Sequence, residues 1–162
     1  MIAPVALLQP IELDYIVLAV MLREPEFWLR YSDQLRGHEF DSLLVAKVYR
    51  FAKGYYEKRE IAPDLAIVLE CLELSERERE QVIDASAAFY AKASLAEYVH
   101  ALVIRGARKS LLRVAELTVS QLQNHPNRNL EKAARRLEAV ASAVSGRLID
   151  FEEDIVSRGL SR

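Results

Sequence analysis

The 162-residue chain is 51% hydrophobic and 28% charged, enough to bury a sizeable core in one domain, or in one domain with an extension. The apolar run Ile16 to Leu22 is far too short to span a bilayer, and MIAPVALLQP lacks the basic flank and cleavage pattern of a secretory leader, so a cytoplasmic protein with no membrane contact is expected. The net charge of −2 hides an asymmetry: residues 93–149 carry nine Lys or Arg against four Asp or Glu, a net of +5, which leaves −7 for the rest of the chain.

Residues 11–24, IELDYIVLAVMLRE, are apolar on nearly every helical face, which predicts a central helix of a globular head. Pro25 then suits the first turn of a second helix, PEFWLRYSDQL, in which Phe27, Trp28, Tyr31 and Leu35 supply bulk and after which Gly37 marks the end. Asp41 or Ser42 caps a third helix running to about Arg59, with Leu43, Leu44, Ala46, Val48, Phe51, Ala52 and Tyr55 at helical spacing. Asp64, after Pro63, caps a short apolar helix, LAIVLECL. Its cysteine, Cys71, is the only one in the chain, which excludes an internal disulfide and a cysteine-based zinc cluster; between Ile67, Val68, Leu69 and Leu72 it reads as a buried, inert thiol. Ser75 and Glu78 form a capping box that opens a fifth helix through Ala91. No segment alternates as a strand should.

The longest uninterrupted helix pattern runs from Ser94 to Gln123, with Ser94 and Glu97 as a second capping box. At 1.5 Å per residue it would extend about 45 Å, more than a small domain is wide. Its apolar stripe changes sides: Leu95, Tyr98, Val99, Leu102, Val103 and Gly106 share one arc, whereas Ala107, Leu111, Leu112, Val114, Ala115, Val119 and Leu122 lie on the opposite one. The first half therefore serves the head and the second half a different partner. After the loop NHPNRN, Leu130 to Val144 form an amphipathic helix with Leu130, Ala133, Ala134, Leu137, Val140, Ala141 and Val144 on one arc, ended by Gly146. The short loop folds it back as an antiparallel hairpin. The second half of the long helix presents an apolar arc of about 160°, wider than the roughly 100° that one partner needs. A second hairpin from another subunit would fill the difference; the alternative is a hairpin folded onto its own head in a monomeric bundle.

The expected architecture is thus all-α: a globular helical head over 1–106, a protruding antiparallel hairpin over 107–146 for subunit pairing, and a linker starting at 147–162. The expected subunit interface comprises Ala107, Leu111, Leu112, Val114, Ala115, Val119, Leu122, Leu130, Leu137, Val140 and Val144. Arg105, Arg108, Lys109, Arg113, Arg135 and Arg136 are candidate contacts to nucleic acid or to a protein partner, although such cations are more often a solvated face.

Catalytic signatures are missing. No glycine begins a G-x-x-x-x-G-K-[ST] phosphate loop, so this chain is not expected to be an enzyme or to hold a cofactor or metal. Glu97 and His100 match one Glu-x-x-His motif of di-metal bundles, but no second motif exists, since Leu35 and Leu122 precede His38 and His125 at the required spacing. Tyr49, Phe51, Tyr55 and Tyr56, interleaved with Lys47, Arg50, Lys53, Lys58 and Arg59, could bind a single strand but read better as a core stripe with a charged back.

Four stretches together resemble the N-terminal domain of bacterial and phage replicative DNA helicases of the DnaB type. These are Gln9-Pro10-Ile11-Glu12 leading into Val17-Leu18 and Met21-Leu22; His38-Glu39-Phe40 with Tyr49 to Phe51; Ile61-Ala62-Pro63-Asp64-Leu65; and Ser94 to Tyr98 through Val103-Ile104-Arg105 to Leu111-Leu112. The likeness spans residues 9 to 145 and departs from the family at Ala19, where glycine is usual. It implies a head carrying a hairpin that pairs between subunits, dimers assembled into a hexameric collar, and docking of primase and a helicase loader. It also implies that ATP and Mg belong to a motor domain beyond residue 162, with DNA engaged by the full-length assembly. A stand-alone helical DNA-binding or helicase-loader-type protein is the competing expectation.

Overall fold

The computed structural model describes residues 4, 5, 8–124 and 130–157. The fold is all-α: among these residues there are seven α-helices and no strand. They are α1 (Pro10–Arg23), α2 (Pro25–Tyr31), α3 (Leu43–Arg59), α4 (Leu65–Cys71), α5 (Glu76–Ser86), α6 (Leu95–Asn124) and α7 (Leu130–Ser157). Contacts divide the chain into two compact units, 1–102 and 103–162, so the changeover falls four residues before the expected 106/107 boundary. Helix α6 starts in the first unit and continues into the second.

In the first unit, α1 packs against α2, α3 and α5, and nine consecutive or near-consecutive residues between Leu13 and Leu22 are buried. A helix that is apolar all round can be buried all round only if its neighbours enclose it. The enclosure is aromatic: Trp28, fully buried, packs edge-on against Phe27 with ring centroids 5.2 Å apart and stacks on Tyr49 at 5.8 Å. Burying an indole requires a partner for its N–H, and Nε1 donates to the Met21 carbonyl at 2.7 Å. Tyr49 likewise donates its hydroxyl to the Leu35 carbonyl at 2.8 Å, and burial pushes the phenol well above its ordinary pKa.

Two buried carboxylates set the entry to α3. Asp14, on α1, is fully buried and accepts the backbone N–H groups of Asp41 at 2.8 Å and Ser42 at 2.6 Å. Ser42 then caps α3 by accepting from the Val45 amide at 3.2 Å. Glu39, also fully buried, accepts from the Arg36 and Gly37 amides, the latter at 2.8 Å. Gly37 has φ +105°, a conformation that side chains rarely adopt, and a Cβ there would lie 2.9 Å from Arg50 Nε.

Asp64 caps α4 through the Ile67 amide, and Ser75 and Glu78 close the capping box of α5 with bonds of 3.2 and 2.8 Å. Several expectations need correction. Leu43 is 88% exposed rather than part of the core stripe, standing at the first position of α3. Cys71 is exposed, not buried: α4 is a single two-turn helix in which only Val68 is fully covered. Helix α5 stops at Ser86, and the apolar run beyond it becomes a non-helical segment in which Phe89 is 88% exposed.

That segment is held by charge and by hydrogen bonds. Glu24 accepts from the Tyr90 hydroxyl at 2.7 Å and pairs with Lys92 at 3.0 Å, while Arg23 donates to the Ala88 carbonyl and lies 4.9 Å over the Tyr90 ring. The Tyr90 bond, then Lys92, holds the Glu24 carboxyl below its ordinary value of 4.5. A depressed carboxylate pKa contributes stability above pH 4.5, and that contribution is lost as pH falls through the lowered value. Because Lys92 is 63% exposed, its ion pair adds little, and the Tyr90 bond is the main contributor. We therefore expect Glu24→Gln to lower the stability of the first unit by about 1 kcal/mol at neutral pH. Thermal melts from pH 7 to 3 are expected to show the gap to the unsubstituted protein closing as the medium becomes acidic.

Candidate interaction surface

Among the described residues no three His, Cys, Asp or Glu side chains gather as a metal site would require. Glu97 is exposed and His100 half-buried on α6. The aromatic residues among the α3 cations divide: Tyr49 is core, Tyr56 lies against Trp28 at 5.9 Å, and Phe51 and Tyr55 are half-buried, with the Arg59 guanidinium 4.4 Å over the Tyr55 ring. No described helix is long and apolar enough to cross a membrane.

The notable surface lies in the second unit. Helix α7 returns along α6: Arg136 Nη1 donates to Gln121 Oε1 at 2.8 Å across 15 positions of sequence, and Thr118 and Ala133 are both buried. Such a contact between the early part of α7 and the late part of α6 requires the helices to run antiparallel. The connection at 125–129, most of the predicted NHPNRN loop, lies outside the described residues. Gly146 does not end α7, which continues to Ser157 because one glycine inside a favourable helix costs only about 1 kcal/mol.

The seam sorts the expected interface residues. Ala107 is buried, and Val114, Leu122, Val140 and Val144 are half-buried on the seam side of their helices. Leu111, Leu112, Val119, Leu130 and Leu137 remain 40%, 55%, 53%, 70% and 41% exposed, and Ala115 is also exposed. Their placement follows from helix geometry. Gln121 and Arg136 each stand three residues after the buried seam positions Thr118 and Ala133, and they meet on one face of the pair. In an antiparallel pair, equal offsets from the seam fall on the same face. Positions three before and one after the seam must therefore share the other face: Ala115 and Val119 on α6, with Leu112 a turn earlier, and Leu130 and Ala134 on α7, with Leu137 and Ala141 following.

One face of the hairpin is thus apolar and open along both helices, interrupted near its start by Arg108. Leu117, 54% exposed, stands on the other face. Of the remaining candidate cations, Arg113, Arg135 and Arg136 are exposed and Arg105 and Lys109 half-buried; Arg135 pairs along its own helix with Glu131. Inspection of the sequence could find the width of the apolar arc, but only the Arg136–Gln121 contact shows how the two helices' arcs combine. Comparison with known protein families gives no match, nor does comparison with curated proteins.

Proposed function

We infer that this chain is a non-catalytic assembly and partner-docking domain of a replicative DNA helicase of the DnaB type, acting in DNA replication. Its hairpins pair between copies through the open apolar face, and higher assembly up to a hexamer follows in the parent protein. The observation behind this is the uncovered face itself: Leu112, Val119 and Leu130, which share it, each expose more than half their surface, and Leu117, at 54%, is the comparable residue on the other face. Two helices alone bury too little to offset their ordering, so a second pair is the physical complement. The order of sequence motifs supplies the family, with primase and a helicase loader as the docking partners. ATP hydrolysis belongs to a separate motor domain of the parent protein.

Cross-linking tests the pairing. A cysteine replacing Val119 in a Cys71→Ser background is expected to give covalent dimers with a short bismaleimide. A cysteine replacing Lys58 in the first unit is expected to give few, and equal yields at the two positions would refute pairing through the hairpin.

A further inference from the structure

One charge interrupts the open apolar face of the hairpin. Arg108 stands two turns before Ala115 on the same side of α6, with Leu112 between them. It is exposed, and among the described residues its guanidinium takes part in no hydrogen bond, ion pair or ring contact. The carboxylates of its own hairpin do not approach it. Glu116 is two turns further along α6, about 12 Å of rise, and falls on the outer rim, the edge of the helix turned away from α7. On α7, the offsets of Glu131 and Glu138 from the seam residue Ala133 place both on the outer rim as well.

We propose that Arg108 limits the strength of pairing between copies, as an unmatched cation inside the face through which they meet. The inference rests on the pairing read from that face. A second copy laid over it presents the same residues: Leu112, Val119, Leu130 and Leu137 with alanines between them, and no carboxylate. Moving a guanidinium out of water is offset only where a counter-charge meets it, and each copy brings one guanidinium and no carboxylate to the contact. The arginine stem can lie along apolar surface while its head reaches water at the rim, so the charge weakens the contact without blocking it. Pairs therefore dissociate more readily than the apolar surface alone would allow.

The test is sedimentation velocity of the full chain and three variants, with far-UV circular dichroism to confirm equal helix content. Arg108→Leu is expected to tighten pairing about a hundredfold, tenfold for each of the two copies that carry it. Arg108→Gln removes the charge without adding apolar surface and is expected to tighten pairing about tenfold in all. Lys132→Leu makes the leucine change one residue before the seam, on the opposite face of the hairpin, and is expected to leave the dissociation constant unchanged. Unchanged or weaker pairing of both Arg108 variants would overturn the proposal, because a carboxylate of the partner would then be meeting the guanidinium. An equal gain from Lys132→Leu would overturn it as well. A dimer that the Arg108 variants do not tighten overturns this proposal alone, whereas a chain monomeric in all four forms overturns the pairing too.

Discussion

Leu112→Asp is expected to abolish self-association while leaving helix content and the thermal unfolding of the first unit almost unchanged. Leu112 is 55% exposed in the single chain, so placing a carboxylate there disturbs little of the fold. In a paired hairpin it would be buried. Burying leucine contributes about 1.5 to 3 kcal/mol, and an unpaired carboxylate in its place adds a desolvation penalty. A two-fold interface presents each substitution twice, so the loss is at least about 4 kcal/mol, or a thousandfold in dissociation constant. Size-exclusion chromatography with light scattering, alongside circular dichroism, separates the effects. A loss of fold equal to the loss of association would instead place Leu112 in a core.

Asp14→Ala is expected to remove about 3 to 5 kcal/mol from the first unit, a large part of the 5 to 15 kcal/mol that a domain of this kind possesses. The carboxylate is fully buried and accepts two backbone N–H groups at 2.8 and 2.6 Å where the chain enters α3. Charge-assisted bonds of this geometry are about twice as strong as neutral ones, and truncation strands both donors. Asp14→Asn keeps one acceptor oxygen and is expected to cost about half as much. Urea unfolding of both variants checks the order; an alanine variant within 1 kcal/mol of the unsubstituted protein would show that water replaces the carboxylate.

The contrast between these two residues shows what is legible in the sequence. Capping residues such as Ser42, Asp64 and Ser75 are readable because their partners lie three residues away, and the all-round apolar character of α1 announces its central place. Asp14 is not readable, since its partners stand 27 and 28 residues on and nothing local distinguishes it from a solvated aspartate at a helix start. The ends of helices follow the same logic. Apolar residues continue past Ser86, so periodicity alone carries α5 too far, and Gly146 looks like a stop although α7 passes through it. Cys71 sits in an apolar run, but α4 is too short to bury more than the residue facing its neighbours, Val68. On the hairpin, periodicity yields the apolar arcs of each helix separately. How they merge into one open face depends on the rotation of α7 about α6, a tertiary quantity marked by Arg136 and Gln121.

Sedimentation equilibrium of the unsubstituted chain, across concentrations on the order of micromolar, tests the central claim most directly. Pairing of hairpins predicts an average mass that rises with concentration from that of an 18.4 kDa monomer toward at least twice that value. A mass that stays at the monomer value up to the highest concentrations would contradict it.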